Sequence, residues 1–335
     1  MTGARSAAKR MDDLDLVKQV VQLACRAPSV HNTQPWRWRS DGENIELRAD
    51  RDRQLVVSDP AGRNMVISCG AALHHLAVAS AGVGRALEVT RLPDVDDPDL
   101  LAVAELGRSV PVGPADTASL DALERRVTDR RRFTSWPVPD ERLDQLALDD
   151  DRRGTRILAL HGEATGHTLE RLVDRAMEVQ RDDPRAADEQ RRWTGRASPD
   201  GIPLVSLPAQ EHVGERRDRF DRIVEPDDET RPLEASDGVL AICTARDDVR
   251  AWLDAGEALS ALWLRATVAG LSLVPLSQVI EVEETRQTLV DQLFFAMAQP
   301  QMLVRIGWQE VGRSPMPHSP RRAFEEVFEG DLQQR

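Results

Sequence analysis

Only three cysteines occur in the 335-residue chain, Cys25, Cys69 and Cys243, far apart and odd in number. No CxxC pair is present, which argues against a structural zinc or iron–sulfur centre. The thiols read as reduced and buried, as in a cytoplasmic protein. No apolar run approaches the about eighteen residues of a membrane helix, and the opening MTGARSAAKRMDDLD holds no apolar stretch of the secretory kind. Positive charge is not in excess: 44 Lys and Arg stand against 57 Asp and Glu, a formal net charge of −13. A nucleic-acid binder normally shows a basic surface, so neither nucleic acid nor membrane is an expected partner. Walker A, GxGxxG, HExxH and GxSxG patterns are all missing, which removes the sequence basis for phosphate-loop, zincin and serine-hydrolase chemistry. Gly82-Val83-Gly84 follows a helical stretch and lacks a third glycine. His31, His74 and His75 do not make a metal set, because adjacent histidines on a helix point to different sides. No catalytic nucleophile or base can be named.

What is present is a patterned α+β chain. The apolar stripe Leu16, Val17, Val20, Val21 and Leu23 predicts a helix over Leu14–Arg26, stopped by Pro28. Strands are predicted at Trp36–Arg39 and Ile45–Arg51, with Gln54–Val57 continuing toward a hairpin. A long buried helix covers Asn64–Ser80 and ends at Gly82 and Gly84. Strands at Leu87–Arg91 and Leu100–Leu106 follow, then a proline-containing joint over Ser109–Ala118. The second part reads as helices at Leu120–Thr128, Asp140–Leu148 and Thr165–Arg181 around a strand at Thr155–Leu160. A polar excursion spans about 182–232. A strand at Gly238–Thr244, a long helix over Trp252–Ala269, a helix over Thr285–Ala296 and a strand at Met302–Gly307 complete the reading. Two internal echoes stand out: GAALHHL (Gly70–Leu76) against GEALSAL (Gly256–Leu262), and LLAVAELG (Leu100–Gly107) against QMLVRIG (Gln301–Gly307). Two related halves explain both.

Two stretches carry candidate chemistry. RAPSVHNTQPWRW (Arg26–Trp38) is stiffened by prolines and offers Ser29, Asn32, Thr33 and Gln34 in sequence. Polar groups of this kind suit the edges of a heteroaromatic ligand, with tryptophans and leucines as its apolar walls. The plainer reading is that Trp36 plugs the core while Asn32 and Gln34 satisfy loop backbone. ERRVTDRRRF (Glu124–Phe133) places Arg126, Thr128 and Arg130 at alternate positions, on one side of an extended chain. Arginine forks and a hydroxyl suit a phosphate, and Arg321 and Arg322 of PHSPRRAF are candidates to complete an anion site. A solvated basic cluster is the alternative.

Taken together, these residues resemble the nitroreductase-like flavoproteins, most nearly the Acg-type actinobacterial group with two nitroreductase-like halves in one chain. Ala27–Trp36 matches the family's APSxxNxQPW pattern. Arg126-x-Thr128-x-Arg130 resembles its phosphate-contacting RxSxR pattern, with Thr in place of Ser. Trp252–Leu276 is similar to the family's long central helix and its exit, and Met302–Trp308 to its late core strand. The resemblance implies a tandem α+β nitroreductase fold whose halves, 1–115 and 116–335, form an internal pseudo-dimer. The excursion at about 182–232 has no counterpart in a minimal nitroreductase and is expected to be a specificity arm or a lid, with Trp193 or Ile202 as its plug. The first half keeps the proline loop and the second keeps the arginines, so the resemblance implies one composite FMN site. Pro28, Ser29 and Asn32 would approach from one side, Arg126, Thr128 and Arg130 from the other, with Arg321 and Arg322 on the phosphate. NAD(P)H is then the expected electron donor and a small nitroaromatic or quinone-like molecule the acceptor. The alternative within the family is a flavin-storing stress or dormancy protein with little turnover. A monomer and a homodimer are both compatible with the fusion.

Overall fold

The computed structural model describes residues 14–147, 149–150, 154–195, 198–203, 233, 237–312 and 314–330. Helix α1 (14–24) buries Leu14, Val17, Val20, Val21 and Ala24, the i, i+3, i+4 stripe of an amphipathic helix. Strands β1 (Trp36–Ser40) and β2 (Asn44–Ala49) alternate buried and open positions, and Trp36 and Trp38 point into the core. Helix α2 (Arg63–Gly82) is buried along most of its length. It leads through Gly84, at φ 72°, into β3 (Arg85–Arg91) and β4 (Leu100–Ser109). The chain then runs through α3 (Pro114–Arg125), α4 (Asp140–Leu146), β5 (Asp149–Asp150), β6 (Thr155–Ala159), α5 (Glu163–Asp182) and α6 (Pro184–Arg192). It continues with β7 (Gly238–Thr244), α7 (Val249–Val268), β8 (Ser272–Leu276), α8 (Gln278–Glu281), α9 (Glu283–Gln292) and β9 (Gln299–Gly307), and ends in α10 (Phe324–Val327) and β10 (Phe328–Gly330).

Two five-stranded sheets result, ordered β10-β1-β2-β4-β3 and β5-β6-β7-β9-β8. Apart from its edge strand, each sheet repeats the other: β1, β2, β4 and β3 stand where β6, β7, β9 and β8 stand. The edge strand β10 pairs parallel to β1, so the far end of the chain returns to the first sheet. That return carries residues 314–327 past the loop that follows α1. One helix of each repeat, α2 and α7, packs against the other at the centre. The glycines of the echoed motifs are their contact point. A Cβ on Gly70 would lie 2.1 Å from the Leu253 carbonyl oxygen, and one on Gly256 would lie 2.0 Å from that of Ile67. Both oxygens belong to the residue three before the opposite glycine, so the crossing is close to two-fold symmetric. The cores interlock there: Leu253 of α7 packs in the cluster of Trp36, Trp38 and α1, while Ile67 of α2 packs in the cluster of β6, β7 and β9. The two repeats pack as one internal pseudo-dimer, as the family resemblance implied.

Several local expectations change. Gln54–Val57 makes no hairpin strand; it follows a 3₁₀ turn at Arg51–Arg53, and the Gln54 amide donates to the carbonyls of Asp59 and Pro60, closing a loop. The helix expected from Leu120 begins at Pro114, where the Asp116 carboxylate accepts from Gly113 N at 2.8 Å, and it stops at Arg125. Part of the polar excursion is helical, in α6, and Glu189 there accepts from Val57 N and from Ser58 N and Oγ in the first half. Leu204, Val205 and Leu207, with the rest of 204–232, lie outside the described residues. Helix α9 ends at Gln292, before Phe295 and Ala296 turn left-handed at φ 49° and 57°. The three cysteines are free and buried, and burial pushes the Cys25 and Cys243 thiols up to about 12. One described helix, α2, is long and apolar enough to cross a membrane, and it is the buried central helix. Gly166 in α5 meets open space at its absent Cβ. Gly166→Ala is therefore expected to stabilise the fold by about 0.5–1 kcal/mol, read as a higher denaturation midpoint.

Candidate functional site

The loop between α1 and β1 is shaped by three non-glycine residues with positive φ: His31 at 45°, Asn32 at 55° and Gln34 at 50°. Such backbone costs on the order of 1–3 kcal/mol per residue and persists only where its surroundings hold it. Here they do. Ser29 Oγ accepts from Gln34 N at 2.9 Å, and Val30 N donates to Ser68 Oγ of α2 at 3.1 Å. Asn32 Nδ2 donates to the carbonyls of Gly201 (3.0 Å) and Pro320 (3.1 Å), and Asn32 Oδ1 accepts from Arg321 Nη1 at 3.2 Å. Gln34 Nε2 donates to Pro199 O at 2.9 Å, and its Oε1 accepts from Arg322 N at 2.8 Å. One asparagine thus joins the loop to the returning C-terminal segment and to the strap 198–203. Asn32→Ala removes these bonds and places alanine in left-handed backbone. About 2–3 kcal/mol of stability should be lost, with faster amide hydrogen exchange across 198–203 and 318–322 as the check.

The second wall comes from the end of α3. Arg126 leaves the helix at ψ 126°, and residues 126–130 run without helical structure. Arg126, Thr128 and Arg130 reach one polar cleft of about 410 Å³, which Ser29, Asn32 and His318 also line. Asp129, between them, is buried and engages Arg131 at 2.6 Å. Arg126 is 5% exposed. Its Nη2 donates to Arg26 O at 3.0 Å, while Nε and Nη1 are buried with no partner. Its guanidinium lies 4.7 Å over the ring of Trp263 from α7. Burial, with the charges of Arg321 and Arg26, pushes its pKa down to about 9. Buried donors without a hydrogen-bond partner beside repelling cations carry an electrostatic cost that a nearby anion would relieve.

A chamber of about 650 Å³ adjoins the cleft. Pro28, Ser29, Thr128, Arg130 and Ile202 border both spaces. Ile67, Leu259, Trp263, Val274, Pro275 and Met302 give the chamber apolar walls, and Asn64, Ser68 and Ser277 add polar edges. Apolar walls with a few polar groups at the edges are an environment that suits a heteroaromatic molecule. Every structural layer contributes: the α1–β1 loop, both central helices, the 126–130 segment and β8 through to β9.

The expected residues thus fall into different places. Pro28, Ser29, Thr128 and Arg130 border both spaces, and Asn32 and Arg126 line the polar one. Arg321 also lines the polar cleft, but its guanidinium is spent on chain carbonyls, donating to Cys25 O (2.9 Å), Arg26 O (2.8 Å) and Ala27 O (3.2 Å). Burial pushes its pKa down to about 10. Arg322 is not among the residues lining either space; it faces Gln34 O and the Asp50 carboxylate at 3.4 Å. Trp36 and Trp38 are core plugs, and the tryptophan of the chamber is Trp263. No group of metal-ligating side chains occurs among the described residues. The strap reaches the site through Ile202, which is 3% exposed, and is held outside by Arg53, which pairs with Asp200 and lies 5.2 Å over Trp193.

No protein-family model matches the chain. A Mycobacterium tuberculosis protein provisionally named NAD(P)H nitroreductase is 37% identical over 323 residues, spanning 95% of this chain and 92% of its own length. The protein of that organism provisionally named NAD(P)H nitroreductase Acg is 35% identical over 332 residues, spanning 94% and 95%. The chain belongs to the Acg-type nitroreductase family. Among solved structures, the FMN-dependent nitroreductase NfnB of Mycobacterium smegmatis, in complex with NADPH, matches 64% of the chain with 97% of its own, at 14% identity and a TM-score of 0.38. Residues of both repeats line the two adjoining spaces.

Proposed function

We propose that this chain holds one FMN across the two adjoining spaces and serves as an NAD(P)H-dependent oxidoreductase for a small organic acceptor of the nitroaromatic or quinone class. The observation that carries the reading is Arg126, buried with two unpartnered nitrogens at a polar cleft that opens into an apolar chamber. A flavin's phosphate and ring ask for that pairing of environments. When bound, FMN supplies the electron-accepting ring through which a hydride is passed on. The chain's part is to bind and to exclude. Arg126, Thr128 and Arg130 would hold the phosphate and ribityl end. Pro28, Ser29 and the walls Ile67, Leu259 and Trp263 would enclose the ring. Arg321 would act one step back, by fixing the carbonyls of residues 25–27 and the Asn32 side chain. Residues 1–115 and 116–335 are the halves of this reading, and one chain suffices for one site.

The strap favours a second reading, a flavin-holding stress or dormancy protein with slow exchange of donors and acceptors. Ile202 is buried at the junction of the two spaces, and Asn32, Gln34 and Arg53 all hold the strap down. The test is the visible spectrum of the purified protein before and after anaerobic NADH or NADPH. Stoichiometric flavin that bleaches on donor addition and recovers with a nitroaromatic supports the oxidoreductase. Flavin that stays oxidised with both donors supports the holding protein, and a colourless protein that does not take up FMN defeats both.

A further inference from the structure

We infer that His318 is a proton-linked member of the anion-binding cleft, so that a phosphomonoester seated beside Arg126 draws one side chain of the cleft into its charged form. The inference rests on the reading of the cleft as a phosphate site.

His318 sits in the returning segment between β9 and α10, where its side chain lines the cleft with Arg126, Arg130, Arg321 and Ser319. The charged groups facing it come from three parts of the chain: Arg26 after α1, Arg126 after α3 and Arg321 from its own segment. No carboxylate is among them within the described residues. His318 is exposed at one side, and partial desolvation together with these three cations holds the imidazole below its usual value, so its neutral form predominates at pH 7 in the anion-free cleft. A phosphate dianion in the cleft beside Arg126 reverses the local field. The imidazole then gains an opposite charge as neighbour, and its protonated form is favoured. The arginines cannot supply the same response, because Arg126 at about 9 and Arg321 at about 10 are already protonated at neutral pH. The sign follows: the liganded protein binds more protons than the free one, so affinity rises as pH falls. The slope is at most about tenfold per pH unit for one linked proton. Below about pH 6 the ester's own second ionisation opposes the trend.

The experiment is calorimetric titration of the full chain, freed of bound small molecules, with phenyl phosphate. It is run at pH 7 in two buffers of different ionisation enthalpy. The wild type should take up a fraction of a proton and bind more weakly as pH rises from 6.5 to 8. His318→Gln should lose the uptake and bind about fivefold more weakly at pH 6.5, the scale of an exposed charge pair. His318→Lys should keep the affinity but lose the pH dependence. Uptake that persists in His318→Gln, binding of phenyl phosphate without uptake by the wild type, or no binding at all overturns the inference. Flavin retained with unaltered uptake in His318→Gln sinks this inference alone. His318-dependent uptake in a chain that does not retain FMN sinks the cofactor reading and leaves this one standing.

Discussion

Gly256→Ala is expected to abolish the stable native state. The added methyl would stand 2.0 Å from the Ile67 carbonyl oxygen and 2.9 Å from Gly70 Cα. Both are backbone atoms of a buried helix, so no side chain can swing aside. Relief requires α2 and α7 to move apart, and that opens the packing of both cores. Overpacking usually costs about 1–3 kcal/mol where side chains can adjust. A backbone clash between two central helices exceeds that range and takes up much of the about 5–15 kcal/mol that holds a native protein. Gly70→Ala meets the mirrored obstacle, the Leu253 carbonyl at 2.1 Å, and should match it. The check is the chemical denaturation midpoint beside that of Gly166→Ala, which tests helix propensity with nothing in the way. If Gly256→Ala unfolds within about 1 kcal/mol of the wild type, the close crossing is wrong. Because Ile67, Leu259 and Trp263 project from these two helices into the chamber, any variant that survives by separating them should also lose its ligand.

The same crossing shows what the sequence could and could not tell. The echo of GAALHHL in GEALSAL was readable as repetition, and its glycines became the contact between repeats. Repetition alone does not say which residues of one half enter the core of the other, and the exchange of Ile67 and Leu253 is a tertiary fact. Alternation made it legible that Arg126, Thr128 and Arg130 share a side, because an extended backbone has period two. It was silent on Asp129, which is buried and pairs with Arg131. Trp36 and Trp38 drew attention by standing next to the proline loop, yet strand pairing turns them inward, and the chamber's aromatic wall is Trp263, remote in sequence. Its signal lay in the long helix all along, but a tryptophan on an apolar face reads as core until a cavity is seen beside it. Arg321 and Arg322 are neighbours with different tasks, which a dipeptide cannot reveal: the parallel pairing of β10 with β1 sets the path of the returning segment. Strand β8 went unread because Pro275 interrupts it and a sheet-edge proline is tolerated.

Arg126→Met should do two opposite things, and that opposition separates a ligand-binding arginine from a structural one. Without ligand the wild type carries a buried guanidinium with two nitrogens that have no hydrogen-bond partner, and no carboxylate lines the cleft among the described residues. Its pKa, pushed down to about 9 from the usual arginine range, means that folding disfavours the charged form. The sign is fixed by linkage: above pH 9 the unfolded chain holds more of this proton, so stability rises with pH there, and the whole penalty is present at neutral pH. The shift sets a ceiling of roughly 5 kcal/mol, and relaxation, water and the stacking on Trp263 return part of it. Methionine fills similar space without charge, so the ligand-free variant should be more stable than the wild type by about 2 kcal/mol. In saturating FMN the order should invert. The wild type gains binding free energy through its native state, while the variant, lacking charge-assisted bonds to phosphate, retains flavin poorly and gains little. Thermal melts of both proteins with and without FMN, read beside flavin occupancy after gel filtration, decide the matter. A variant less stable than the wild type in both conditions would make Arg126 a structural residue, and the two spaces would then have to be filled by something other than a phosphate-bearing ring.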